Sequence, residues 1–131
     1  MSAEEKKYSF SKLEKGKKTP SEYFKDGEYD KALKGYLAIK KKDSTARVIS
    51  MWYINNLGYE YMRKKKMTEA KEIFKINMEL HPKKSNVFDS MGDYYRNEKD
   101  TANAIIYYKK ALAINPENRS SKRYLNRMSK K

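Results

Sequence analysis

Few residues of this 131-residue chain have the types and spacing that catalysis requires. His81 is its one histidine and there is no cysteine, so thiolate chemistry and a disulfide framework are excluded. His81 lies beside Pro82 in what reads as a turn, and a general base there would still need a positioned partner. Ser9 and Lys12 have the Ser-x-x-Lys spacing in which a lysine can activate a serine hydroxyl. In so lysine-rich a chain that spacing arises by chance, and the Ser-Asp-Asn and Lys-Thr-Gly elements of a complete site are missing. No glycine-rich phosphate loop is present, and no histidines and carboxylates stand at metal-ligand spacing. The expectation is a non-enzyme with no metal and no cofactor.

The residues that recur are packing residues. Leu57, Gly58, Tyr61, Ala70, Phe74, Asn77 and Pro82 map one for one onto Met91, Gly92, Tyr95, Ala104, Tyr108, Ala111 and Pro116, 34 residues later. A fixed period of this length indicates stacked helical hairpins. A mid-helix glycine costs about 1 kcal/mol relative to alanine, so Gly58 and Gly92 suit places where a neighbouring helix comes close. Ala70 and Ala104 do the same on the second helices. Tyr61, Phe74, Tyr95 and Tyr108 fill the space between hairpins, with hydroxyls free to find polar partners. Pro82 and Pro116 end the second helices, because proline lacks the N–H and biases His81 and Asn115 away from helical geometry.

With Leu-Gly, Tyr, Ala, Phe/Tyr and Pro at these intervals, residues 20–116 resemble the tetratricopeptide repeat family. Ile54 and Phe88 stand where that family often has tryptophan. A first copy lies 38 residues before the second, carried by Tyr23, Ala32, Tyr36, Ile39 and Ser44. Its first helix is truncated: Thr19-Pro20-Ser21-Glu22 reads as a capping box with proline at the first helical position, and Gly27 follows within two turns. The four extra residues before copy two predict one long helix from Thr45 to about Lys64, on which Val48, Ile49, Trp52, Leu57 and Tyr61 recur at helical spacing. Ser85, and Asp100 or Thr101, read as helix starts in copy three, and Asn118 as the cap of a last helix carrying Tyr124, Leu125 and Met128.

The expected fold is therefore all-α: a short right-handed superhelix of about three tetratricopeptide hairpins plus a C-terminal capping helix. Its parts are a flexible extension (1–19), a truncated first repeat (20–44), a second with a lengthened first helix (45–83), a third (84–117) and a basic capping helix (118–131). Three hairpins is near the lower limit for such an array, so the short copy and the cap both matter for folding. No stretch is long enough to span a bilayer, and residues 1–19 lack the apolar core of a signal peptide. The expected compartment is the cytoplasm, or the periplasm or exterior if the chain is a piece of a secreted hydrolase.

A net charge of +14 attracts anionic partners. Lysines outnumber arginines, however, and Lys40-Lys41-Lys42 and Lys64-Lys65-Lys66 fall at helix ends, where they favour the negative terminus and keep the surface solvated. The most concentrated patch, Arg119, Lys122, Arg123 and Arg127 on the last helix, is the candidate for an anionic partner. Nucleic acid is possible there but not favoured.

What the resemblance implies about function is a groove lined by the first helix of each hairpin, binding a peptide or protein segment. By register its residues are Trp52, Asn55, Asn56, Tyr59 and Arg63 from copy two and Asn86, Asp89, Asp93 and Arg96 from copy three. Trp52 either lines that groove or packs under the first hairpin. Burial of Asn55, Asn56, Asp89 and Asp93 requires partners, so an open polar floor is expected. The family's best-known ligand mode clamps a terminal carboxylate with two lysines, two asparagines and an arginine. Lys17 and Asn56 match it, whereas Ser21, Asn86 and Ser90 do not, and Asp89 and Asp93 would repel an acidic tail. A basic or amide-bearing ligand near copy three, with an apolar group near Trp52, is expected instead. The runs 57–95 and 104–118 are also similar to the tetratricopeptide tail of some bacterial serine hydrolases, which implies an accessory or docking role. A monomer or weak dimer is expected.

Overall fold

Residues 18–129 are described by a computed structural model, and every regular element among them is helical. In chain order they are α1 (Pro20–Lys25), α2 (Tyr29–Lys42), a 3-10 turn (Arg47–Ile49), α3 (Met51–Arg63), α4 (Met67–Leu80), α5 (Ser85–Asn97), α6 (Thr101–Ile114) and α7 (Arg119–Ser129). Of the extension expected over residues 1–19, only Lys18 and Thr19 are among the described residues; Ser9, Lys12 and Lys17 lie outside them. No described helix is long and apolar enough to cross a membrane. The fold falls into two compact units that part between Ile54 and Asn55.

In the first unit a capping box starts α1: the Glu22 N–H donates to the Thr19 hydroxyl and the Thr19 N–H to the Glu22 carboxylate, at 3.2 and 2.9 Å. The helix stops after six residues, and Gly27, at φ 77°, turns the chain into α2. Lys18 spans this turn with ion pairs to Asp26 (2.7 Å) and Glu28 (3.2 Å). Helix α2 lies close enough to α1 that a methyl on Gly35 would meet the Pro20 ring at 2.7 Å. Phe24, Ala32, Tyr36, Ile39, Val48 and Ile49 form the buried side of this unit.

The single long helix expected from Thr45 to Lys64 does not form. Ser50 is extended (φ −65°, ψ 145°) between the 3-10 turn and α3, and its hydroxyl accepts the Tyr53 N–H at 3.2 Å as an N-cap. Before it, Asp43 accepts from both the backbone and the hydroxyl of Thr45, at 3.0 and 2.6 Å, and folds the chain into a turn. The four extra residues are thus spent on a capped turn that buries Val48 and Ile49. Among the described residues the longest helices are α2, α4 and α6, at 14 residues each.

In the second unit each glycine of the repeat faces an aromatic ring. A methyl on Gly58 would lie 2.2 Å from the Phe74 ring, and one on Gly92 2.6 Å from that of Tyr108. Phe74 and Tyr108 are almost wholly buried, and Ala70 and Ala104 wholly so. Phe74, Ala70, Met91 and Tyr94 form the core where the second and third hairpins meet, with Tyr59, Tyr61 and Tyr95 packed against it. Lys65 (φ 58°) and Lys99 (φ 61°) close the turns inside these two hairpins. With Gly27 they stand 38 and 34 residues apart, so the backbone repeats with the sequence.

Asp100 caps α6 by accepting the Asn103 N–H at 3.1 Å, and Asn118 caps α7 by accepting that of Ser121 at 3.1 Å. Ser85, expected as a start signal, is instead the first residue of α5, after an N-cap Lys84 that makes no side-chain cap. Its hydroxyl donates to the Ala111 carbonyl and accepts from Asn118 Nδ2, both at 2.8 Å. The Ser121 hydroxyl donates to Asp89 at 2.7 Å. The closing helix is thereby tied to α5 by buried polar contacts as well as by packing.

Gly58→Ala and Gly92→Ala are expected to lower the melting temperature. Overpacking costs about 1–3 kcal/mol, against about 1 kcal/mol gained in helix propensity. Gly58 should suffer more, having the shorter contact; a rise in stability for either variant would refute this packing. Asp89 gives a pH-dependent prediction. Burial pushes its carboxyl above the usual aspartate value of 3.8, although the Ser121 bond pulls the other way. A carboxyl raised in the folded state opposes folding while ionised, and that penalty fades as pH falls through the raised value. Asp89→Asn keeps an acceptor for Ser121 and should be at least as stable as wild type near neutrality. Thermal melts against pH should show its advantage shrinking on acidification; an advantage that grows would contradict the assignment.

Candidate functional site

Helices α3 and α5 meet through polar side chains one repeat apart. Tyr59 donates its hydroxyl to Asp93, the equivalent position 34 residues on, and lies 3.2 Å from the Ser90 hydroxyl. The Ser90 hydroxyl donates to the Asn55 side-chain oxygen. From α6, Tyr108 donates to the other Asp93 oxygen at 2.5 Å and accepts from Arg96 Nε at 3.1 Å, while Arg96 pairs with Asp93 at 3.5 Å. Burial first, and then the Asp93 carboxylate, push both tyrosine hydroxyls well above the usual phenol range. Both hydroxyls therefore stay protonated and act as donors near neutral pH.

This network changes the expected open floor. Asn55 and Asp89 are buried, 6% and 9% exposed, because Ser90 and Ser121 supply the partners that burial demands. The Asp93 side chain is 13% exposed and holds two hydroxyls and a guanidinium. Its charge, like that of Asp89, is directed at internal partners, which removes the reason for expecting a basic ligand at copy three. Asn56, Arg63 and Arg96 are exposed, and Asn86 is half-buried beside the Asn118 amide at 3.3 Å. Trp52 is 60% exposed, so it is not core. Asn56 and Arg63 lie one heptad apart on α3 and share a face.

Helix α7 carries the basic patch, with Arg119, Lys122, Arg123 and Arg127 all exposed. The Lys122 ammonium is shared with Glu117 at 3.5 Å. Tyr124 stacks on Tyr108, with ring centroids 5.7 Å apart, and receives three guanidiniums: Arg96 at 3.8 Å, Arg123 at 4.9 Å and Arg127 at 5.6 Å. Sequence reading overlooked the parts that Ser90, Tyr108, Ser121 and Tyr124 play in these contacts. The signal was the period itself: residues about 34 apart on neighbouring first helices lie side by side, so Tyr59 and Asp93 could have been paired.

The tetratricopeptide repeat model matches residues 53–75 and 86–118. No curated protein matches the chain in sequence. Among solved structures, the first such domain of Spaghetti (RPAP3), bound to the HSP90 peptide SRMEEVD, is 22% identical over 84% of each chain, with a TM-score of 0.56. The second domain of human RPAP3, in complex with the HSP70 peptide SGPTIEEVD, is 20% identical over 86% of this chain and 90% of its own, at 0.56. The Sgt2 domain from Aspergillus fumigatus is 18% identical over 97% of this chain and 78% of its own, at 0.56. At these identities the likeness is one of fold. Residues 53–75 and 86–118 thus match the tetratricopeptide repeat, and the chain has the helical-hairpin fold of those structures.

Proposed function

We propose that the protein is a non-catalytic interaction module that holds a peptide or protein segment against the exposed side chains of its repeat first helices. The observation that carries this is the tetratricopeptide fold, which in two of the similar structures is captured with a peptide. The polar groups with reaction-like geometry support it too, since Tyr59, Asp93, Tyr108 and Asp89 are engaged with one another or with serines. Recognition then falls to Asn56 and Arg63 on α3 and Arg96 on α5, with Trp52 as a separate apolar contact.

The peptides in those two structures end in Glu-Glu-Val-Asp. At the positions where the resemblance puts cationic clamp residues in copy three, this chain has Asn86 and Ser90, and the Ser90 hydroxyl is already given to Asn55. A clamp on a terminal carboxylate is not the mode we infer; an internal segment of a partner is. Attachment to a serine hydrolase has only the wording of residues 57–95 and 104–118 behind it.

Peptides selected from a displayed library should bind Asn56→Ala/Arg63→Ala at least about 10-fold more weakly than wild type, since each change removes a polar contact. Equal affinities by calorimetry would exclude the α3 face. Tyr59→Phe serves as the structural control. It removes a hydroxyl bonded to a carboxylate and should cost about 1.5–3 kcal/mol in a urea melt.

A further inference from the structure

We propose that Arg96, Arg123 and Arg127, gathered on the Tyr124 ring, seat the carboxylates of an acidic peptide segment. The proposal rests on the interaction-module reading and names the chemistry of one end of its ligand.

The repeat register places the cluster. Moving 34 residues on from Asp89, Ser90 and Asp93 reaches Arg123, Tyr124 and Arg127. Helix α7 thus occupies the place of a further first helix, and where α5 has two carboxylates it has two arginines. The α5 carboxylates form no ion pair with them, although Asp89 feels the Arg123 charge through space. Asp89 is bonded to Ser121, and Asp93 is shared among Tyr59, Tyr108 and Arg96. Among the described residues no carboxylate lies within 4.0 Å of Arg123 or Arg127, whereas Lys122 on the same helix has Glu117.

Three like charges around one ring repel each other, and what holds them is the ring. Tyr124 is fixed by stacking on Tyr108, whose own ring lies on Gly92. Arg96 is fixed twice, by its Nε bond to the Tyr108 hydroxyl and by its position over Tyr124. Guanidiniums gathered at a ring in this way, those of Arg123 and Arg127 above all, have N–H groups left to offer, and guanidinium forks match carboxylates in pairs. The occupant is argued from charge complementarity and from this geometry. A single strand held by base stacking would need an open aromatic face, and the Tyr124 ring is already stacked on Tyr108 and approached by three guanidiniums; binding through phosphates alone is told apart by the polyuridylate arm of the test.

The test uses the whole chain and a fluorescein-labelled glutamate-rich peptide, with its all-glutamine counterpart as control. Anisotropy should show binding of the glutamate peptide only, weakening as salt rises. Arg123→Glu/Arg127→Glu, confirmed as folded by circular dichroism, should weaken binding by about 10-fold or more. Arg123→Gln/Arg127→Gln replaces it if the reversal unfolds α7. Lys41→Glu/Lys109→Glu changes net charge equally at exposed sites elsewhere and should leave affinity within about twofold. An equal loss in that control would overturn the seat, reducing it to attraction by net charge. So would unchanged binding in the arginine variants, or displacement of the peptide by single-stranded polyuridylate at lower concentration than by unlabelled peptide. A library-selected ligand that needs Asn56 and Arg63 but ignores Arg123 and Arg127 would sink the seat and leave the module standing. Failure of every peptide to bind would sink both.

Discussion

An aromatic ring laid on a glycine backbone sets the distance between the helices of each complete hairpin. Phe74 on Gly58 and Tyr108 on Gly92 are repeat-equivalent contacts, and both rings are buried. Because interiors are close-packed, this one distance fixes where everything beyond the ring must fall. In the third hairpin the Tyr108 ring lies on Gly92 while its hydroxyl reaches the adjacent Asp93. Phe74 has no hydroxyl to offer, and there Tyr59 supplies one across to Asp93 from α3. In the third hairpin the apolar contact and the polar network are thus two ends of one side chain, Tyr108, and in the second they are divided between Phe74 and Tyr59.

That coupling explains why the polar residues between the packing positions are structural. Satisfied polar groups in a region of low dielectric rigidify it, whereas one left without a partner is expensive. Asn55, Ser90, Tyr59, Asp93, Tyr108 and Arg96 form one connected set, and Ser121 and Asn118 extend polar bonding from α5 to the closing helix. Helix α7 covers the end of the second unit without relying on apolar surface alone. This suits a helix whose only buried residue is Ser121.

The packing was legible in the sequence because small and aromatic residues mean the same thing at each period. Gly58 and Gly92 announced close approach, and the Thr19 box and the Asp100 and Asn118 caps announced helix starts. The break at Ser50 was not legible, since apolar residues at helical spacing continue through the 3-10 turn, and only the serine's cap distinguishes a new start from a continuation. The site was read less well for a different reason. A polar residue at a first-helix position looks the same whether it faces a ligand or a neighbouring repeat. Asn56 and Arg63 are exposed while Asn55 is buried, and only the partner across the helix interface decides between them.

Trp52 is the sole tryptophan of the chain, and it stands 60% exposed in the folded protein. An indole already bathed in water emits at long wavelength before any denaturant is added, so its spectrum changes little as the chain unfolds. The same exposure makes it a label-free reporter of capture: an apolar group settling on the indole would shift its emission to the blue and shield it from collisional quenchers. Unfolding is better followed by far-ultraviolet dichroism, or by the buried tyrosines Tyr36, Tyr94 and Tyr108, whose surroundings change when the helices part.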